Sequence, residues 1–459
     1  MSKKSKNFRV FIGFSNTASY FSSLAEGFDK LGHRVEYIDL EHDHPYLRKF
    51  QSQKPSLPVR WFERAHRKHK LSPSFWTRQL LACSKFLCFV FSLLRCDVYI
   101  FSIGETFYGL NDLLILRALR KKTIFTFLGS ASRPIFINGV YTNTGKELSL
   151  NKAVQHSHDK RLQLEKIARH CTAIVENPPA GQMQSRPFYN HSIIGFPVSL
   201  SQRAAGTEAQ KELDPLDQPR PVRIIHAPSN RSVKGSDFIE QIIAELKAEG
   251  FSIDFSSMTK MSNSEVLQAL SECDFVIDQA YSDGPLAGLA TEAATLGKPA
   301  VVGGYAQEET LRFLGDTDLP MSLYVKPEHM KDRVRDLLLS PALRQDLGRE
   351  VKNYVTREWA PEVVAERYVR IARGTAPQAW LVDPRQLNYW LGCGAPKTLT
   401  IDYLRKLVRK RSKRVLGVLQ SKQLRAQILE VVRARDEVPA STSSGEPLGM
   451  EKNPQKLPE

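Results

Sequence analysis

The sequence predicts an α/β protein of two doubly wound, Rossmann-like domains facing a cleft, with a basic helical C-terminal extension. Three observations carry this reading. Short apolar runs alternate with helix-period segments in two successive series. A polar, proline-punctuated stretch, TEAQKELDPLDQPRP at residues 207–221, separates the series. The chain has 459 residues, 42% of them hydrophobic and 25% charged, the balance of a multi-domain globular protein rather than a disordered or fibrous one.

The first series opens with an apolar strand at residues 9–14 and a helical pattern over 18–31. Gly32 closes that helix, because glycine readily takes the left-handed cap conformation. A second strand follows at 34–40. Strand, helix and strand in this order form a βαβ unit, which builds parallel sheets through right-handed crossovers. Further strands are expected at 98–101, 123–127, 173–175 and 192–194. The second series places strands at 222–226, 252–255, 275–278 and 299–302, with helices over 237–249, 263–272 and 288–296. The resulting division is a first domain over 1–200, a linker over 201–221, a second domain over 222–373, a basic helical segment over 374–436, and a disordered tail rich in Pro and Ser over 437–459.

The six cysteines are scattered without a regular framework and are expected as free thiols in a reducing cytoplasm. Residues 8–14 are too short and too interrupted for a signal peptide. The most apolar stretch, LLACSKFLCFVFSLL at 80–94, is shorter than the roughly 20 residues of a bilayer span. It is read as a buried helix feeding the strand near residue 98, with a helix lying in a membrane interface as the alternative.

Ligands of open parallel sheets bind beyond the carboxyl ends of the strands, so the loops there carry the functional expectation. The loop HAPSNRSVKGSD, residues 226–237, leaves a strand and enters a helix capped by Ser236 or Asp237. Its cations Arg231 and Lys234 are spaced to converge on one anion at that helix N-terminus. In the second loop a strand ends at Asp278 and a helix opens near Gly288, with Glu292 one turn inside. A carboxylate so placed suits the paired hydroxyls of a ribose. The histidines of EHDH at 41–44 are read as a polar rim, and no metal site is assigned.

These loops, followed by Gly297-Lys298-Pro299 and a Val-Val strand, resemble the donor-binding half of GT-B glycosyltransferases. The nearest group is the retaining one of glycogen-synthase-like and bacterial mannosyl- and glucosyltransferases. LAEGFDKLGHRV at 24–35 is similar to that family's first helix and its ending, and the resemblance spans residues 8–372. It implies that Arg231 and Lys234 hold a donor diphosphate, that Gly288 and Leu289 offer backbone N–H groups to it, and that Glu292 contacts the nucleotide ribose. The family's first glutamate is replaced by Gly284. The adjacent Asp283 is the expected substitute acid, and Arg133 of FLGSASRP (127–134) is expected at the acceptor side, where the family often has a histidine.

The expected activity is transfer of a hexose from a nucleotide-diphosphate sugar to an acceptor the sequence does not name, such as a cell-surface glycan or lipid-linked molecule. No cofactor is expected beyond that substrate. Lys and Arg exceed Asp and Glu by 16, which calls for an anionic partner. Twelve Lys or Arg fall between Lys397 and Arg435, interleaved with apolar residues at near-helical spacing, and RWFERAHRKHK occupies 60–70. Both segments are expected to dock peripherally on the anionic inner face of a membrane, placing the enzyme in the cytoplasm. Two alternatives stay open: a nucleic-acid-binding protein using its basic C-terminal helices, and a catalytically inactive GT-B relative serving as a scaffold.

Overall fold

The computed structural model describes residues 7–40, 55–102, 105–143, 148–199, 220–259, 263–315, 319 and 322–434. The EHDH segment at 41–44, most of the 201–221 linker and the 437–459 tail lie outside them.

The first domain runs β1 (Arg9–Phe14), α1 (Tyr20–Lys30), β2 (Arg34–Asp39), α2 (Leu57–Leu71), α3 (Phe75–Arg95), β3 (Val98–Phe101), α4 (Asp112–Ala118), β4 (Lys122–Thr126), α5 (Gly139–Thr142), α6 (Leu150–His170), β5 (Ala173–Glu176), β6 (Phe188–Asn190) and α7 (His191–Ile194). The second runs β7 (Val222–His226), α8 (Arg231–Lys234), α9 (Ser236–Ala248), β8 (Ile253–Ser257), α10 (Asn263–Glu272), β9 (Phe275–Ile277), α11 (Gly288–Thr295), β10 (Ala300–Gly303), α12 (Gln307–Arg312), β11 (Leu323–Val325), α13 (Met330–Leu339) and α14 (Pro341–Glu358). The chain then adds α15 (Pro361–Arg373), β12 (Leu381–Val382), α16 (Lys397–Arg411) and α17 (Lys422–Arg433).

The first sheet has the order β12-β6-β5-β4-β3-β1-β2 and the second β11-β10-β9-β7-β8. Every described pairing is parallel except β12 on β6. Both sheets therefore wind outward in two directions from their first strand, leaving a switch point between β1 and β3 and another between β7 and β9. Successive strand residues point to opposite faces. Val10, Ile12, Val98 and Ile100 pack under α1 and α15, while Phe11, Phe14, Tyr99 and Phe101 build an aromatic layer on the other face. Strands buried on both faces read as unbroken apolar runs, which explains why the sequence located them.

The expected strand at 192–194 is instead helix α7. The Asn190 side chain accepts from the Ser192 N–H at 2.9 Å and starts a helical turn, and the strand lies just before it. Strands β11 and β12, three and two residues long, are too short to show a period.

From α15 onward the chain returns to the first domain. Val364, Ala365, Tyr368 and Val369 of α15 are buried under the first sheet, and β12 extends that sheet. The basic helical segment packs on the same domain. Leu404, Leu407, Leu416, Leu424 and Ile428 are buried in the first domain's aromatic core, so its apolar stripe is covered by protein rather than offered to lipid. Helix α3 departs from expectation the other way. Ser84, Cys88, Phe89 and Ser92 are buried and the helix does feed β3, but Phe75, Trp76, Phe86, Leu87 and Leu94 are exposed.

Candidate functional site

The carboxyl edges of the two sheets face each other, and bonds cross between their loops. Asn143 Nδ2 donates to the Ser232 carbonyl at 2.9 Å, and Asn190 Nδ2 to the Phe313 carbonyl at 2.9 Å. Arg133, from the loop after β4, forms an ion pair with Asp283, from the loop after β9. Two doubly wound domains thus meet loop to loop across their sheets' carboxyl edges.

A cavity of about 70 Å³ lies between the domains. The first domain lines it with Ala18 and Ser19, in the turn after β1, and the second with Gly288, Thr291 and Glu292 of α11. That turn is tight: Ala18 and Ser19 hold φ of 50° and 61°, in the left-handed region, and Asn16 Oδ1 accepts from the Ser22 N–H at 3.1 Å. Tyr20 is anchored behind it, its hydroxyl 3.0 Å from that of Tyr368, which is 2.7 Å from Thr126 Oγ1.

Helix α11 opens at Ala287, which has no side-chain acceptor to cap the first-turn N–H groups, so that end suits an anion. Gly288 lies at the cavity. Leu289 is buried in the second domain's core, and only its backbone can reach a ligand. Glu292 is half-buried at the cavity wall, one turn on.

The two cations of the 226–237 loop do not converge. Asn230 Oδ1 accepts from the Val233 N–H at 3.2 Å and starts the single-turn α8, which the sequence did not reveal. Gly235, left-handed at φ 70°, separates α8 from α9, so Ser236 and Asp237 lie inside α9 and Gly235 caps it. On opposite sides of that turn the cations diverge across β7. Arg231 turns toward α9 and β8, with Nη atoms 2.8 Å from both Glu240 carboxylate oxygens and 2.9 Å from Asp237 Oδ1. Those carboxylates raise its pKa further. Lys234 turns toward the switch point, with Nζ 2.7 Å from Gln279 Oε1 and 3.7 Å from Asp278 Oδ1. Asp278 Oδ2 is buried and has no hydrogen-bond partner among the described residues. The expected two-cation cradle is thus reduced to Lys234 on the α11 side.

Asp283 and Arg133 are not poised toward a ligand; they hold each other. Arg133 is fully buried, and its Nη2 also donates to the Leu391 carbonyl at 2.6 Å. Asp283 Oδ1 accepts from the Tyr389 hydroxyl and the Cys393 N–H, each at 3.0 Å. Burial raises the Asp283 pKa against the pull of Arg133 and these donors. Residues 387–394 form a strap between the domains: Gly394 N–H donates to the Tyr281 carbonyl at 2.8 Å, and Asn143 Nδ2 reaches the Gly394 carbonyl at 2.8 Å. Below the latch, at the end of β5, Glu176 is fully buried, paired with Ser132 and with Gln184 at 3.2 Å. Burial pushes its carboxyl up to about 8.

The sequence singled out neither the β1–α1 turn nor the strap. The turn had a signal, a polar SNTAS run directly after a strand, whereas the strap's contacts join residues more than a hundred positions apart. No family model and no curated protein matches the chain. Among solved structures the chain is similar to HepE from Anabaena in complex with UDP and glucose, at 10% identity and a TM-score of 0.43, over 80% of this chain and 100% of that one. It is similar to the catalytic domain of starch synthase IV from Arabidopsis thaliana bound to ADP and acarbose, at 9% identity and 0.41, over 81% and 99%. A third is the glycosyltransferase SnogD from Streptomyces nogalater, at 12% identity and 0.37, over 80% and 100%.

Proposed function

We propose that the protein is a glycosyltransferase that takes a sugar from a nucleoside-diphosphate donor held at α11. The observation that carries this reading is the interdomain cavity, with Gly288 and Glu292 on one wall and the β1–α1 turn on the other. The α11 N-terminus and Lys234 supply positive potential for the leaving diphosphate, the electrostatic stabilisation that sugar transfer needs as the glycosidic bond breaks. The Glu292 carboxylate accepts the two ribose hydroxyl protons. A cavity of about 70 Å³ is smaller than a nucleotide sugar requires, since small-molecule pockets run to roughly 300 Å³ and more. Donor entry therefore needs the domains to part, and their closure afterwards excludes water.

Titration of UDP and ADP, alone and as glucose conjugates, by calorimetry tests the reading. Glu292→Gln and Lys234→Ala are each expected to weaken binding by roughly 1.5–3 kcal/mol, the range for a hydrogen bond to a charged group. Arg231→Ala is expected to leave it unchanged. If no nucleotide binds the wild type, or both weakening variants bind as it does, the reading is wrong. The latched Asp283 favours one second reading, a relative that binds the donor without turning it over. Release of free sugar or transfer product from UDP-glucose excludes that reading.

A further inference from the structure

We propose that the outer face of α2 and α3 docks the protein on a bilayer bearing anionic phosphate headgroups. On α3 the exposed apolar residues recur at helical spacing: Trp76 is 78% exposed, Phe86 56% and Leu94 77%. The stripe continues onto α2, where Leu57 is 72% and Leu71 85% exposed. Large exposed apolar side chains gathered on one pair of helices mark an interaction surface.

The charge around it selects the partner. α3 contains no acidic residue, and Glu63, the one acid of α2, is buried. Arg60, Arg64, Arg67 and Lys68 are exposed on α2, and Arg78 on α3. Between the helices, Leu57, Trp61 and Leu87 line a groove of about 370 Å³ with Arg60 and Arg64 beside them. An apolar slot next to two guanidinium groups fits an acyl chain and its phosphate. Pairing with a second copy through this face would bring both copies' arginines into one interface in which α2 and α3 offer no exposed acid to meet them.

α3 is long and apolar enough to cross a membrane, but 28% of its apolar window is buried in the protein, where Ser84, Cys88 and Ser92 pack inward. The helix therefore lies along the interface, with aromatic side chains entering the acyl boundary. Of the two segments expected to dock, the proposal keeps α2–α3 and drops the C-terminal helices, whose apolar residues are buried in the first domain.

Sedimentation of the full chain with vesicles tests this, using phosphatidylcholine alone and in equal parts with phosphatidylglycerol. Binding is expected to the anionic vesicles and to fall as salt rises. The paired changes Arg60→Glu with Arg64→Glu, and Trp76→Ser with Phe86→Ser, lie on exposed side chains and are each expected to weaken binding at least about tenfold. Their near-UV circular dichroism should match the wild type. Brominated lipid should quench Trp76, seen as fluorescence loss that Trp76→Phe diminishes. The proposal is overturned if the wild type ignores anionic vesicles at low salt, or if both paired variants bind equally well. It is also overturned if the face proves to join two copies, with Trp76→Ser plus Phe86→Ser turning a dimer into a monomer. None of these readouts involves nucleotide or sugar, so their failure leaves the transferase reading standing.

Discussion

Arg133 and Asp283 bring opposite charges from two domains into one buried contact. Removing one partner of such a pair strands the other charge and costs about 3–5 kcal/mol, whereas an apolar replacement of both is far better tolerated. Arg133→Met and Asp283→Leu are each expected to lower the urea midpoint sharply, and the double variant by much less than their sum. Additive losses would show that the pair does not act as a unit. Glu176 gives a pH signature. Its folded-state pKa of about 8 stands above the ordinary 4.5, so between those values the folded protein keeps a proton that the unfolded chain has released. Stability from this residue therefore falls as pH rises through that window. Glu176→Gln is expected to match the wild type below about 4.5 and to melt higher above about 8; a pH-independent difference in melting point would refute the assignment. The sequence showed Arg133 and Asp283 as chemistry-bearing residues in loops after strands. It did not show that they pair, because 150 residues separate them and nothing local encodes the encounter. Glu292 needed no such encounter: its place follows from one helix start.

Among the helices, α1 and α15 come closest. A Cβ on Gly27 would sit 1.9 Å from the Pro361 carbonyl oxygen. Helix propensity alone favours Gly27→Ala by about 1 kcal/mol, but the clash is with backbone and must win. We expect that substitution to destabilise the protein, while Gly417→Ala, with nothing within 4 Å of the added carbon, stays near neutral in the same urea titration. This contact explains why the strands were legible while the chain's return to the first domain at α15, ahead of the expected boundary at 373, was not. The apolar stripe of α15 announces that it needs a cover. Which of two similar sheets provides it depends on shape, such as the small residue at position 27, and not on hydrophobic period. The same ambiguity left it open whether protein or lipid covers the apolar stripe of α16 and α17.

For the molecule as a whole, the second domain is inserted into the first: the chain leaves after α7, builds the second sheet, and comes back through α15, β12, α16 and α17. A chain stopped at residue 396 would keep the strap, lack the last two helices, and open the cluster that Phe136, Leu164 and Ile167 share with Leu404, Leu407 and Ile428. It is expected to bind the dye ANS and to lose near-UV circular dichroism, and a rigid, dye-free product would contradict this. The same topology sets an order on the ribosome. The segment synthesised first is completed last, because its sealing helices emerge roughly 200 residues after β6. At about 5–20 residues per second, the nascent first domain carries the face around Phe136 and Leu164 uncovered for on the order of ten seconds or more. Over that interval the inserted domain can close unaided, and the protein's demand on chaperones falls on the half that began first.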